Sequence, residues 1–339
     1  MKAIKLVQYG KAGDAFQINE TLIPEIAEGE VLINVESFGL NFADVMARRG
    51  LYGEAPKLPF VPGYEVVGKI EKSKSLLFKP GERVVAFTRF GGYAEKVKTD
   101  ARAVATIPED MDNGVGVALA TQYCTAWHAA YDLANVKAGE VVLIHAAAGG
   151  VGIALTQLAH LRGCKVIGTA GSDKKIRFLK ESGVEFAVNY RKDDFEKTVP
   201  EILNGKKPDV IFDPVGGKNF KKSKRILDYG GRIVGYGASD QLNHRKGPVS
   251  SVKLLFGFGF LHPVGLIMNS KGVLGVNMLK IADHKPEILQ HALHEVVRLT
   301  NEGKLKPVVG KEYRAAQIAE AHEFLESRQS IGKIVLHWP

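Results

Sequence analysis

Val141-Val142-Leu143-Ile144-His145, then Ala146-Ala147-Ala148-Gly149-Gly150-Val151-Gly152, then Ile153 through Leu161 form the continuous stretch that decides the fold of this chain. The first run is apolar and β-branched, as a buried strand is. The second is a turn of small residues. Apolar side chains then recur at Val151, Ala154, Leu155, Leu158 and Leu161, the spacing of a helix face turned toward a core. Strand, glycine turn and helix in this order bring backbone close to a pyrophosphate, with free N–H groups and the positive end of the helix dipole facing its charge. Gly149 and Gly152 stand as the second and third glycines of a G-x-G-x-x-G fingerprint, and Ala147 takes the place of the first.

Outward from this stretch the same pattern repeats. Gly163 ends the helix and Cys164 to Thr169 reads as the next strand, closing a βαβ unit of about 30 residues. Ser172 caps a helix running through Lys180 and stopped by Gly183. Strands follow at Phe186 to Tyr190, Asp209 to Phe212 and Arg232 to Tyr236. Helices alternating with short apolar strands predict a doubly wound parallel sheet covered on both faces.

At 339 residues the chain is long enough for two domains with separate cores. Its formal charge of +9 suits anionic ligands, but the excess is spread through the chain and accompanies no nucleic-acid-binding module. The densest run, Lys218 to Arg225, reads as the solvated face of a helix. Two cysteines, Cys124 and Cys164, supply neither a disulfide framework nor a four-cysteine zinc site, which points to a reducing cytoplasm. Met1 to Leu6 enters a strand pattern directly, so no signal peptide is expected. No apolar run is long enough to span a bilayer. Leu254 to Leu261, with Pro263 to Met268 after it, is expected to line a pocket or an interface.

From Met1 to about Asp100 the strands are short and separated by Gly and Pro: Glu30 to Phe38, Tyr64 to Glu71, Arg83 to Phe87 and Tyr93 to Lys98. This spacing predicts a mostly antiparallel, barrel-like domain. A helix, Phe42 to Arg49, is capped by Asn41 and closed by Gly50, and a second covers Gly116 to Leu133. Gly272 to Met278 reads as a further strand. Pro286 opens a helix with Ile288, Ala292, Val296 and Leu299 on its apolar face, Ala315 to Ser327 is another helix, and Ile331 to Leu336 is a last strand.

Several motifs occur in order: Gly39-Leu40-Asn41-Phe42-Ala43-Asp44, Pro62-Gly63-Tyr64-Glu65-Val66-Val67-Gly68, Gly91-Gly92-Tyr93-Ala94-Glu95, the Ala-Ala-x-Gly-Gly-Val-Gly turn, Asn189-Tyr190, Asp213-Pro214-Val215-Gly216 and Gly332-Lys333-Ile334-Val335-Leu336. Together they resemble the zinc-independent quinone oxidoreductase branch of the medium-chain dehydrogenase/reductase superfamily. Gly39 to Tyr52, with Met46-Ala47-Arg48-Arg49-Gly50-Leu51-Tyr52, is most similar to the vesicle amine transport protein group. The resemblance implies a GroES-like catalytic domain over 1–122 and 279–339, a Rossmann domain over 123–278, and cofactor and substrate in the cleft between them. Zinc-dependent relatives carry a cysteine before the first motif and a histidine before the Glu of the second. Here Ser37 is nearest the first place and Tyr64 holds the other. His291 and His294 share a helix face without a third ligand in view.

The end of the second Rossmann strand bears on the choice of coenzyme. An NAD-selective site places an acid there for the ribose 2′-hydroxyl, whereas this chain has Thr169-Ala170-Gly171-Ser172 followed by Lys174 and Lys175. NADPH is the expected cofactor, with Asp173 the dissenting side chain or a first-turn carboxylate matched to the helix dipole. The resemblance assigns Lys175 to the 2′-phosphate with Tyr190 stacking nearby. It places Thr125, Ala148, Gly149, Gly150, Val151, Gly152, Gly171, Ser172, Gly235, Tyr236, Gly237 and Lys333 along the cofactor. It also sets Asn41 and Tyr52 near the nicotinamide, with Asp44 holding the Asn41 loop. Asn41 has a second explanation as a helix N-cap, and Tyr52 and Tyr64 serve equally as donors to a substrate carbonyl or as packing tyrosines. Cys124 reads as packing, with no base near it in sequence.

No proton donor is identified from the residues, and hydride transfer to an electron-poor acceptor needs mainly alignment and exclusion of water. The expected activity is zinc-free, NADPH-dependent reduction of a quinone or an α,β-unsaturated carbonyl by a homodimer. A second class stays open: a nucleotide-binding, lipid- or membrane-associated protein of the vesicle amine transport type with little enzymatic activity.

Overall fold

The computed structural model describes residues 1–240, 258 and 261–339. Most of the apolar run Leu254 to Leu261 therefore lies outside the described residues, while its continuation forms a helix, Pro263–Asn269. The strands in chain order are β1 Lys2–Leu6, β2 Phe16–Glu20, β3 Glu30–Leu40, β4 Glu65–Ser73, β5 Arg83–Phe87, β6 Lys96–Asp100, β7 Val104–Thr106, β8 Val141–Ile144, β9 Lys165–Ala170, β10 Phe186–Asn189, β11 Val210–Asp213, β12 Arg232–Gly235, β13 Gly272–Gly275, β14 Val309–Arg314 and β15 Lys333–His337. They divide between two compact units, Met1–Cys124 with Met278–Pro339, and Thr125–Asn277.

The contiguous unit holds a six-stranded sheet in the order β10-β9-β8-β11-β12-β13. Every pairing in it is parallel. Strands covered on both faces need no polar alternation, which is why Val141-Val142-Leu143-Ile144 is apolar throughout. Leu143, Ile167, Val188, Ile211 and Ile233 form one buried cluster with Phe195, Val199, Phe220 and Ile226. The helix Gly150–Leu161 makes the crossover from β8 to β9, and Asp173–Glu181 that from β9 to β10, with Ser172 Oγ accepting the Lys175 N–H at its start.

The expected last strand, Gly272 to Met278, is shorter. Val276 N–H still donates to Gly235 O at 2.9 Å, but Met278 opens the helix Met278–His284 and is buried there. Apolar character alone does not separate a strand end from a following helix start.

The other unit holds a seven-stranded sheet in which β14-β15-β3-β4-β5-β7 are neighbours and β6 also pairs with β3. All its pairings are antiparallel except β14 with β15. β1 and β2 form a separate antiparallel hairpin. Tyr93, expected to start a strand, precedes β6 and instead accepts the Ile4 N–H on its carbonyl, while its ring is buried against Phe38. Gly332 has φ +69°, and a Cβ on it would lie 2.2 Å from Val308 O. The chain must turn there on a glycine, so β15 starts at Lys333 rather than at Ile331.

The helix expected over Gly116 to Leu133 begins earlier, at Asn113, where Asp112 caps it. It is not uniform: Leu119–Tyr123 and His128–Leu133 are wound wider, as π-helical turns. Such turns are a known irregularity of helices near functional sites, and no sequence periodicity announces them. The helix Pro286–Asn301 buries Leu289, Ala292, Leu293 and Val296, so its core face lies one residue further round than Ile288 suggests. Ala315 to Gln317 is a tight 3₁₀ turn, and the following helix is Ile318–Glu326.

Candidate functional site

The residues of interest fall into two constellations, one in each unit. In the contiguous unit the glycine turn follows β8. Ala146 takes a left-handed conformation, φ +51°, and Ala147 N–H donates to Thr169 O at 3.0 Å, which fixes the turn to the end of β9. Gly149 N–H closes the turn on Ala146 O at 2.9 Å. Gly152 is required by sterics: a Cβ there would sit 2.6 Å from both Ala146 O and Ala147 Cα. The alanine at the first fingerprint position is explained by its neighbour. Its buried methyl faces Gly168 in β9, where an added Cβ would lie only 3.0 Å away. The first intrahelical bond runs from Ile153 N–H to Gly149 O, so the amides of Gly150, Val151 and Gly152 stand ahead of it as the orphan donors every helix start leaves.

At the end of β9, Gly171 lies under the Tyr190 ring, and a Cβ there would come within 2.4 Å of the tyrosine oxygen. The Tyr190 ring is itself exposed. Burial pushes the Lys175 ammonium down to about 8, and the nearby Arg191 guanidinium adds to the effect. Asp173 is accounted for: its carboxylate accepts from Lys192 Nζ at 2.8 Å and from Asn189 Nδ2 at 3.0 Å. Those bonds, the one from Lys192 first, hold it below the usual carboxylate range. Sequence reading missed Arg191. The Asn189 side chain turns the chain there by accepting the Arg191 N–H at 3.1 Å, an Asx turn readable in Asn189-Tyr190-Arg191.

Buried Asp213 organises the loop beyond β11, accepting from the N–H groups of Val215 and Gly216 at 2.6 and 2.9 Å. Tyr236 N–H donates to Asp213 O, and a Cβ on Gly237 would lie 2.7 Å from Pro214 O, so Gly235-Tyr236-Gly237 runs beside this loop. Ala148 and Thr125 are buried.

In the other unit Asn41, Glu65 and Lys333 meet. Lys333 and Glu65 form an ion pair in which both side chains have 0% exposure. Asn41 joins it from both ends of its amide: Nδ2 donates to Glu65 Oε1 at 2.6 Å, and Oδ1 accepts from Lys333 Nζ at 3.0 Å. Lys333, which the resemblance sets along the cofactor, is thus wholly buried with its ammonium directed at Glu65 and Asn41. Gly39 makes room for the pair, since a Cβ there would lie 2.2 Å from Glu65 Oε1 and 2.4 Å from Lys333 Cε. Asp44, in the first turn of the helix Phe42–Arg48, accepts the Asn41 backbone N–H at 2.8 Å.

Beside this cluster the Tyr52 and Tyr64 rings meet edge to face, 6.2 Å between centroids. Burial pushes the Tyr52 hydroxyl up to about 12 and the Tyr64 hydroxyl well above its ordinary value, so both keep their protons at neutral pH. Ser37 Oγ is hydrogen-bonded to His337 Nδ1 at 2.7 Å. Among the described residues no group of three or more His, Cys, Asp or Glu is placed to hold a metal ion.

A parallel dinucleotide-type sheet, and a mostly antiparallel sheet assembled from both ends of the chain, together define a nucleotide-dependent oxidoreductase architecture. Comparison with known proteins agrees. Residues 27–134 match the alcohol dehydrogenase GroES-like domain, and residues 150–294 match the family described as zinc-binding dehydrogenase. A quinone oxidoreductase of Lama guanicoe is 32% identical over 340 residues, covering 99% of this chain and 97% of the relative. A synaptic vesicle membrane protein VAT-1 homolog of Danio rerio is 34% identical over 92% of this chain, which spans only 65% of that relative. The structure of Escherichia coli quinone oxidoreductase complexed with NADPH superimposes with a TM-score of 0.86 at 28% identity, covering 99% of this chain and 100% of that one. The chain belongs to the quinone oxidoreductase branch of the medium-chain dehydrogenase/reductase superfamily.

The buried ion pair makes a direct prediction. Lys333→Met leaves Glu65 buried without its cation and costs about 3–5 kcal/mol of stability. Adding Glu65→Gln recovers much of that loss. Urea unfolding of the two single variants and the double variant measures the coupling, and additive losses would contradict it.

Proposed function

We propose that this chain is an NADPH-dependent oxidoreductase that reduces quinones or α,β-unsaturated carbonyls without a metal at the reaction centre. The observation that carries the reading is the corner formed by Gly171, Lys175, Tyr190 and Arg191. It combines two cations with an exposed aromatic ring, and the Asp173 carboxylate beside it is already paired with Lys192 and Asn189. An acid free to bind a ribose 2′-hydroxyl would favour NADH; two cations favour a 2′-phosphate. The amides of Gly150, Val151 and Gly152, which stand ahead of the first intrahelical bond, fit a pyrophosphate approaching the helix start. Ala148 to Gly152 would hold that group, Lys175 and Arg191 the 2′-phosphate, and Tyr190 the adenine.

When bound, NADPH supplies a hydride. The chain's own residues would orient the acceptor and offer hydrogen bonds to its oxygen. Tyr52 and Tyr64, both protonated at neutral pH, are suited to donate. Asn41 is less available, because both ends of its amide are engaged by Glu65 and Lys333. The metal-free reading is supported by Tyr64, which holds the place of the histidine of zinc-dependent relatives, and by Ser37, the side chain nearest the place of their cysteine.

The homodimer reading is supported by the edge of the parallel sheet. Among the described residues β13 has one neighbour, β12, and the adjoining helix Pro263–Asn269 buries none of its residues, with Ile267 77% and Met268 79% exposed. An open strand edge beside an apolar surface is a site for pairing with a second copy.

Four measurements test this reading. Steady-state NADPH oxidation with a panel of ortho-quinones and enones should show turnover with at least one; none with any acceptor would overturn the assignment. Below pH 8 Lys175 is charged, and above it the free protein loses that cation. The Kd for NADPH should therefore rise with pH beyond about 8 while that for NADH stays level. Lys175→Ala should weaken NADPH binding ~10- to 150-fold, the equivalent of losing one charge-assisted hydrogen bond of about 1.5–3 kcal/mol, and leave NADH unaffected. Light scattering should give twice the chain mass of 36.9 kDa, and a single-chain mass would contradict the dimer.

A further inference from the structure

His145 is a buried side chain that the proposed chemistry leaves unused. It follows directly on the all-apolar β8, is 2% exposed, and its ring meets Phe195 edge to face at 4.7 Å. A phenylalanine or leucine would fill such a place with no polar atom to satisfy. Instead both ring nitrogens are bonded to buried hydroxyls, Nδ1 to Thr169 Oγ1 at 3.0 Å and Nε2 to Ser223 Oγ at 2.9 Å.

The donors in this chain of bonds follow from a count of protons. Ser223 has one hydroxyl proton, and it goes to Asn219 O at 2.9 Å, one turn back in the helix Gly217–Ile226. Ser223 therefore accepts from His145, which puts the imidazole proton on Nε2. Nδ1 is then an acceptor, and the Thr169 hydroxyl donates to it. Burial holds the imidazole below its ordinary value, with Asp213 opposing, in keeping with a ring that carries a single proton. Asn219 extends the chain, its Nδ2 donating to Asp213 Oδ2 at 3.0 Å.

The two ends of the chain lie under two different parts of the coenzyme site. Thr169 O holds the glycine turn through the Ala147 N–H. Asp213 holds the loop beyond β11 through the Val215 and Gly216 N–H groups, and its carbonyl accepts the Tyr236 N–H. Between them the strand order reverses, with β9 on one side of β8 and β11 on the other, and a dinucleotide lies across such a reversal. With its adenosine end at β9, the nicotinamide half falls over β11 and β12.

We propose that His145 is a positioning residue for the coenzyme, fixing the glycine turn against the Asp213 loop so that both halves of one dinucleotide are received together. The proposal rests on the NADPH reading above. A fully bonded buried network specifies one arrangement of β8, β9 and the helix Gly217–Ile226, where an apolar contact would tolerate several. That matters because a misplacement of about 1 Å can cost on the order of 100-fold in rate.

Titration of the full chain with NADPH and with 2′-phospho-ADP-ribose, which lacks the nicotinamide, separates the two halves. His145→Phe keeps a ring and removes both bonds. It should raise the Kd for NADPH about tenfold and leave that for 2′-phospho-ADP-ribose within about twofold. His145→Gln, which again offers one donor and one acceptor, should recover part of the loss. Thr169→Val keeps the shape of the partner without its hydroxyl; it should act in the same direction, and adding His145→Phe to it should weaken NADPH binding by less than the product of the two single effects. Nitrogen NMR of the ligand-free wild type should show a protonated Nε2 and a bare Nδ1 from about pH 6 to about pH 8. Equal weakening of both ligands, no change in either, or the opposite tautomer overturns the proposal even where the wild type binds NADPH. A wild-type chain that binds neither ligand overturns the NADPH reading and the positioning role with it.

Discussion

The pairing of Lys333 with Glu65 is the constraint around which the split unit is arranged. It joins the first residue of β15 to the first residue of β4, 268 positions apart, with both charges removed from water. Such a pair contributes little net stability by itself, because desolvation cancels most of the attraction, yet removing either partner is costly. Its influence is therefore on what surrounds it. Gly39 must lack a side chain, the Asn41 amide is oriented from both ends, and the single ammonium is unavailable to Asp44. Asp44 is thereby left with a carboxyl that burial holds above the usual carboxylate range.

The contiguous unit is governed by close approach of backbone to backbone. Gly152 meets the turn after β8, Gly168 accepts the methyl of Ala147, and Gly171 underlies Tyr190. These are three separate packing demands. The departure at Ala147 from the usual glycine is matched across the sheet by Gly168, so the turn keeps its shape with a different residue. The glycine at the end of β9 likewise leaves room for the hydroxyl end of Tyr190.

Much of this was legible in the residues, and the limits have physical causes. The run from Val141 to Leu161 changes period from strand to helix across a glycine turn, and that change survives any choice of tertiary partner. Periodicity was less reliable where two readings share it. Met278 continues an apolar run but starts a helix, and Leu289 rather than Ile288 leads the buried face of Pro286–Asn301. Asn41 reads as a cap or as a site residue, and the structure gives its side chain to Glu65 and Lys333. Glu65 sits in a recognisable motif but shows its role only once Lys333 is beside it, and no local pattern reports a contact across so many residues. Arg191 was overlooked because its position depends on a turn made by Asn189 rather than on a charge motif.

The topology also bears on how the chain is built during translation. All six strands of the parallel sheet lie within Thr125–Asn277, so that sheet can be completed from one uninterrupted stretch of nascent chain. The other sheet places β15 between β14 and β3, and the bond from Ser37 to His337 spans 300 positions. Until the ribosome has released β15, the Ser37–Leu40 end of β3 lacks its partner, since β6 covers only Glu30–Asn34, and that end carries Phe38 and Leu40. An unpaired apolar strand is the feature that chaperones shield and that aggregates recruit. The interval between emergence of β3 and emergence of β15 is therefore the vulnerable period in this protein's biogenesis.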